Sequence, residues 1–215
     1  MKQATPKEKI LKSIRRSLIH KIPAPFPQAD QNSLIHPAPV ASLDILFAEQ
    51  FIAAQGKFVY CEDEGAFMQN LGLLSDEKNW NHLFCWDTHL QEIFVRHDFR
   101  KGRIGKNLDK ADAGITRCEA LIARTGSVLL SSALASGRSL SVFPPVHIVV
   151  ATIDQLVYDI KDGISALTAK YGAKLPSYFG LATGPSRTAD IEKTLVLGAH
   201  GPREVYVFLT EATKL

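Results

Sequence analysis

A chain of 215 residues with 46% hydrophobic and 22% charged residues fits one ordinary domain with room for an appendage. That balance excludes wholesale disorder, collagen, a coiled-coil rod and a disulfide scaffold. The formal charge of +3 is unevenly held, because residues 1–21 carry seven Lys or Arg against Glu8, a net of +6, and the remaining 194 residues are net −3.

In chain order, Ile10, Leu11, Ile14, Leu18 and Ile19 fall at helical spacing with Lys and Arg between them, so residues 7–21 are predicted to form a basic amphipathic helix. Its apolar stripe packs on its own body or a neighbouring subunit, or its cations meet nucleic acid or an anionic membrane. Pro23, Pro25, Pro27, Pro37 and Pro39 make the next segment extended, so residues 1–39 read as helical arm and linker and residues 40–215 as the body.

Ser42 is a plausible cap for a helix that stops at Gly56. Residues 57–61 read as a strand, 64–74 as a helix, 82–86 as a strand and 88–94 as a helical piece. Apolar runs at 119–123 and 128–132 flank Thr125, Gly126 and Ser127, which predicts two strands and a tight turn. Residues 147–152 are a buried strand, and 153–171 carry a 3.6-residue period ended by Gly172. Strands at 178–182 and 205–209 then bracket a short helix at 189–197. This alternation predicts an α/β fold with a mostly parallel sheet and helices on both faces, plus the N-terminal helical arm.

The densest polar segment in an apolar region is Gly184-Pro185-Ser186-Arg187-Thr188-Ala189-Asp190-Ile191-Glu192, after a strand and at the start of the predicted helix. A helix start offers free N–H groups, and Arg187 a planar cationic fork, so a carboxylate or phosphate is the expected ligand. Capping by Thr188 and Asp190 is the competing explanation for those two residues. Thr125, Gly126 and Ser127 form a hydroxyl-rich turn that is either an anion nest or a plain hairpin. Arg138 is a second candidate anion contact, and His200 a weak candidate acid or base without a nucleophile beside it in sequence.

Cys61, Cys85 and Cys118 are odd in number and widely spaced, and the histidines lack a metal spacing, so no metal site or disulfide framework is expected. There is no glycine-rich nucleotide fingerprint and no serine-hydrolase elbow. No apolar run has the length of a secretory signal or a membrane span, which points to the cytoplasm.

Five segments in one order carry a family resemblance. They are Ala111-Asp112-Ala113-Gly114-Ile115-Thr116, Ile122-Ala123-Arg124-Thr125-Gly126-Ser127-Val128, Phe143-Pro144-Pro145-Val146-His147, Gly184-Pro185-Ser186-Arg187-Thr188-Ala189-Asp190-Ile191-Glu192 and His200-Gly201-Pro202. Over residues 40–212 the chain resembles the LUD domain family of lactate-utilization proteins. The resemblance implies a NagB/RpiA/CoA-transferase-like fold and a place in a system that oxidises L-lactate to pyruvate. There a separate subunit holds the iron–sulfur clusters, so this chain is expected to be the cluster-free accessory subunit without a cofactor of its own. Arg124 stands where the family often has an acid, which makes the turn more attractive to anions.

The expected partners are iron–sulfur-bearing subunits and a small carboxylate or phosphate, with homo-oligomerisation possible and nucleic acid not expected. The alternatives are a self-sufficient enzyme acting on a sugar-phosphate, folate or CoA-thioester, and a scaffold subunit without its own site.

Overall fold

The computed structural model describes residues 5–19, 36, 39, 41–105, 107–189, 195–198 and 200–211. The chain divides into two units, Met1–Ala38 and Pro39–Leu215. In the first, α1 (Pro6–Ile19) is an amphipathic helix with no buried residue, and Ile14 and Leu18 are exposed. No helix among the described residues is long and apolar enough to cross a membrane.

The second unit begins with α2 (Leu43–Ala53) and β1 (Lys57–Cys61). Asp63 accepts from the Ala66 N–H and starts α3 (Glu64–Glu77). After β2 (Leu83–Cys85), Asp87 accepts from the His89 and Leu90 N–H groups and starts α4 (Thr88–Arg96). The short β3 (Gly102–Arg103), β4 (Ala113–Arg117), β5 (Ala120–Ile122), β6 (Ser127–Ser131) and β7 (Val146–Thr152) follow. Then come β8 (Leu156–Val157), α5 (Ile160–Tyr171), β9 (Phe179–Ala182), β10 (Arg187–Ala189), β11 (Leu195–Leu197) and β12 (Glu204–Thr210).

Six strands form a parallel sheet in the order β1-β12-β7-β4-β2-β3, and four form a second sheet in the order β8-β5-β6-β9. β7 and β12 are apolar almost throughout because both faces of the central sheet are covered. On one face Val146, Ile148, Val150 and Phe208 meet Phe67, Leu71, Leu90 and Ile93 of α3 and α4. On the other, Val149, Val205 and Val207 meet Phe47 and Phe51 of α2 together with Leu121 and Val128 of the second sheet. The far side of that sheet packs on α5 through Leu129 and Leu167. The expected α/β class is observed, with the second face shared between α2 and a sheet.

Two expected helices are corrected. The periodic stretch 153–171 opens with a 3-10 turn at Ile153–Gln155 but becomes α-helical only at Ile160, because the Asp159 carboxylate accepts from the Ile160 N–H and Asp162 answers the Asp159 N–H, fixing the start there. Upstream, Leu156 and Val157 pair with Leu121 and Ile122 as β8. In place of a helix at 189–197, Arg187–Ala189 pairs antiparallel with Leu195–Leu197. Residues 190–194, including Asp190, lie outside the described residues.

Candidate functional site

The two hydroxyl- and glycine-rich turns do converge, and the element at their junction is the carbonyl end of α2. Gly126 has φ +60° and a side chain there would stand 2.4 Å from the Phe51 nitrogen; Gly184 has φ +70° and a Cβ would stand 2.1 Å from the Ala54 oxygen. Only glycine fits such positions. The Arg187 guanidinium donates to the Ala54 carbonyl at 2.6 Å, which places a cation against the negative end of a helix. The Ser127 hydroxyl links the two turns, 2.7 Å from the hydroxyl of Thr125 and 2.7 Å from that of Thr183. Thr188 lies on β10.

Arg124 is committed elsewhere: its guanidinium donates to Asp159 at 2.9 Å, and that carboxylate holds the arginine above its ordinary pKa.

A cleft of about 520 Å³ opens on the other side of residues 183–186, between the second sheet and the amino ends of β7 and β12. This differs from the carboxyl-end placement usual for open α/β sheets. Arg138, Ser141, Gly184, Ser186 and His200 line it, so it gathers four sequence candidates, Gly184, Ser186, Arg138 and His200, while Thr125, Gly126, Ser127 and Arg187 are not among its lining residues. The Arg138 guanidinium donates to the Ser177 hydroxyl at 2.8 Å and lies 5.6 Å from the Tyr178 ring centre. Among the described lining residues it is the one side chain with a full formal charge at neutral pH, counting histidine as neutral.

His147 also lines the cleft although it is only 1% exposed. Its Nε2 lies 2.9 Å from the Thr116 hydroxyl, on the strand paired with β7. Burial pushes its pKa down to about 4, so at neutral pH the ring is uncharged and can exchange hydrogen bonds without adding charge. Sequence reasoning did not select it, although it closes the Phe143-Pro144-Pro145-Val146-His147 segment that carried the family resemblance.

Ser131, another lining residue, donates to Glu119 behind the wall. Burial alone would raise the Glu119 carboxyl, but hydrogen bonds from Lys170 at 2.7 Å, from Ser131, and from the Tyr171 hydroxyl at 2.8 Å outweigh it and hold the pKa below the ordinary value. That negative charge is therefore balanced away from the cavity, and no carboxylate is among the described lining residues.

A second depression, of about 260 Å³, lies beside β3 against Phe94, Phe99 and Ile104. Cys85 lines it, but burial pushes that thiol up to about 12, which leaves it unreactive as a nucleophile. The three cysteines are buried and unbridged, and no group of three or more His, Cys, Asp or Glu among the described residues is placed to hold a metal ion.

A parallel sheet roofed by a second, largely antiparallel sheet, with a two-stranded ribbon of β10 and β11 beside them and a cation-marked cleft, defines an α/β protein. Within that class the chain belongs to the LUD domain family, whose sequence model matches residues 69–210, more than half of the chain. Three proteins named lactate utilization protein C are similar to it. The one from Deinococcus radiodurans is 38% identical over 47% of this chain and 48% of its own length, and that from Halalkalibacterium halodurans 36% over 51% and 49%. The Bacillus subtilis protein is 33% identical over 49% of this chain and 45% of its own. These alignments span about half the length of the curated relatives they match. The fold is shared with a crystal structure of a DUF162 family protein from Deinococcus radiodurans, with a TM-score of 0.57 and 22% identity over 81% of this chain and 99% of that one.

Proposed function

We propose that this protein serves a lactate-utilization system that oxidises L-lactate to pyruvate, as a cytoplasmic, cluster-free subunit that holds a carboxylate in the cleft. The name shared by its relatives supports the system. The observation that carries the site is that one guanidinium, Arg138, and an uncharged buried imidazole, His147, line the same cavity with no carboxylate among its described lining residues.

In this reading Arg138 attracts the carboxylate, and Ser141, Ser186 and His147 supply hydrogen bonds to a neighbouring hydroxyl. The electron-accepting clusters belong to separate partner subunits, and this chain positions the acid.

Deleting the gene is expected to abolish growth on L-lactate and to spare growth on pyruvate. Reintroducing the wild-type chain restores growth, and Arg138→Ala restores it poorly at equal protein level. Full restoration by Arg138→Ala overturns the carboxylate site, and unimpaired growth of the deletion strain overturns the place in the system.

A further inference from the structure

The dimensions of the cleft narrow the ligand further, on the reading that it is a carboxylate site. Three features argue together. The first is size, because about 520 Å³ lies within the range of sites that enclose ligands much larger than a three-carbon acid. Lactate displaces roughly 100 Å³, the share of three or four waters at ~30 Å³ each, and would leave most of the cavity to solvent.

The second is charge. Among the described lining residues one guanidinium is present and Glu119 is neutralised behind Ser131, so these groups match a single negative group and not a polyphosphate. The third is the wall. The Tyr178 hydroxyl would stand 2.5 Å from a side chain at Gly180, so its ring rests on bare backbone, half exposed, with the Arg138 guanidinium 5.6 Å from its centre. Leu130, Val142, Pro185 and Val205 continue that apolar surface. A methyl group covers little of such a wall, whereas an aromatic or branched body covers it well.

We infer that the cleft takes a monoanionic 2-hydroxy acid with a large apolar side chain, the aromatic hydroxy acids first among them. Its carboxylate meets Arg138, its hydroxyl meets Ser141, Ser186 or His147, and its ring lies against Tyr178.

Titration calorimetry on the full chain, with L-lactate, L-3-phenyllactate and inorganic phosphate as separate probes, tests this. Phenyllactate is expected to bind at least tenfold more tightly than lactate, and Arg138→Ala to weaken both at least tenfold. Tyr178→Ala should bring phenyllactate down to the lactate level, with thermal unfolding confirming the fold. If that variant fails to fold, Ala182→Leu, which fills the cleft, should exclude phenyllactate and admit lactate.

Lactate binding as tightly as phenyllactate overturns the size argument and leaves the carboxylate site standing. A phenyllactate preference that survives whichever of Tyr178→Ala and Ala182→Leu folds overturns the assigned wall. Binding of phosphate alone, or of none of the probes, overturns both the inference and the carboxylate reading.

Discussion

Residues 183–187 border two regions of opposite character. Toward α2 the contacts are closed: Gly184 presses on the Ala54 carbonyl and the Arg187 guanidinium donates to the same oxygen at 2.6 Å. Toward the cleft the same segment stands back from Arg138, His147 and His200 around about 520 Å³. A glycine-rich, cationic motif therefore divides its work, and the side chain that looks most like a ligand anchor is spent on a helix terminus. The groups left facing open space come from the loop at 137–142 and from the start of β7.

The comparison breaks most visibly at Gly184. Alanine there combines a left-handed backbone with a Cβ 2.1 Å from a backbone oxygen that cannot easily move. Strain and overpacking together should cost about 3 kcal/mol, read as a fall in the urea midpoint. A midpoint within experimental error of wild type would mean that the α2 junction is looser than described.

His147 gives an effect of similar size that appears only with pH. Its pKa is lowered from 6.5 to about 4, so between those values the unfolded chain binds a proton that the folded chain refuses. The stabilisation is complete above about pH 6.5 and is lost as pH falls through the window to about 4, amounting to about 3 kcal/mol. Unfolding at pH 7, 6 and 5 should show the slope, and His147→Gln should flatten it. Glu119 acts in the same direction at lower pH, since its depressed carboxyl contributes stability above its unfolded value that is lost as pH falls through its folded one. Glu119→Gln, which strips charge from a site supplied by Lys170, should cost about 2 kcal/mol at pH 7 in the same urea assay.

Much of the fold is legible in the sequence because its strands are continuous apolar runs. β1 falls at the expected residues, and β7 and β12 extend the expected strands by one to two residues. β4 is not legible in the same way, because Gly114 and Thr116 dilute its apolar run and its pairing with β2 and β7 comes from distant parts of the chain. The false helix start before Ile160 has a local cause: Leu156 and Val157 keep a helical period while serving a strand. Of the candidate cleft, the segment at 184–186 is legible because its glycine and hydroxyl interrupt apolar sequence, while Arg187, which stood out beside it, is turned to α2. His147 is hidden inside a buried strand, where only its three-dimensional position beside Thr116 and the cavity distinguishes it from a core residue.

The smallest expected changes in stability separate the two arginines. Arg187→Ala removes an exposed charged hydrogen bond at the end of α2 and should cost about 1 kcal/mol, seen in the unfolding midpoint. Arg138 is also exposed, and its partners are the Ser177 hydroxyl and the face of Tyr178, so its loss should shift stability by no more than about 0.5 kcal/mol. Binding should rank the two in the opposite order, with Arg138→Ala losing carboxylate affinity and Arg187→Ala retaining it. Calorimetry on both variants beside their unfolding curves decides the matter: loss of binding in Arg187→Ala with retention in Arg138→Ala would assign the anion to the α2 junction, because the cleft reaches Arg138 and not Arg187.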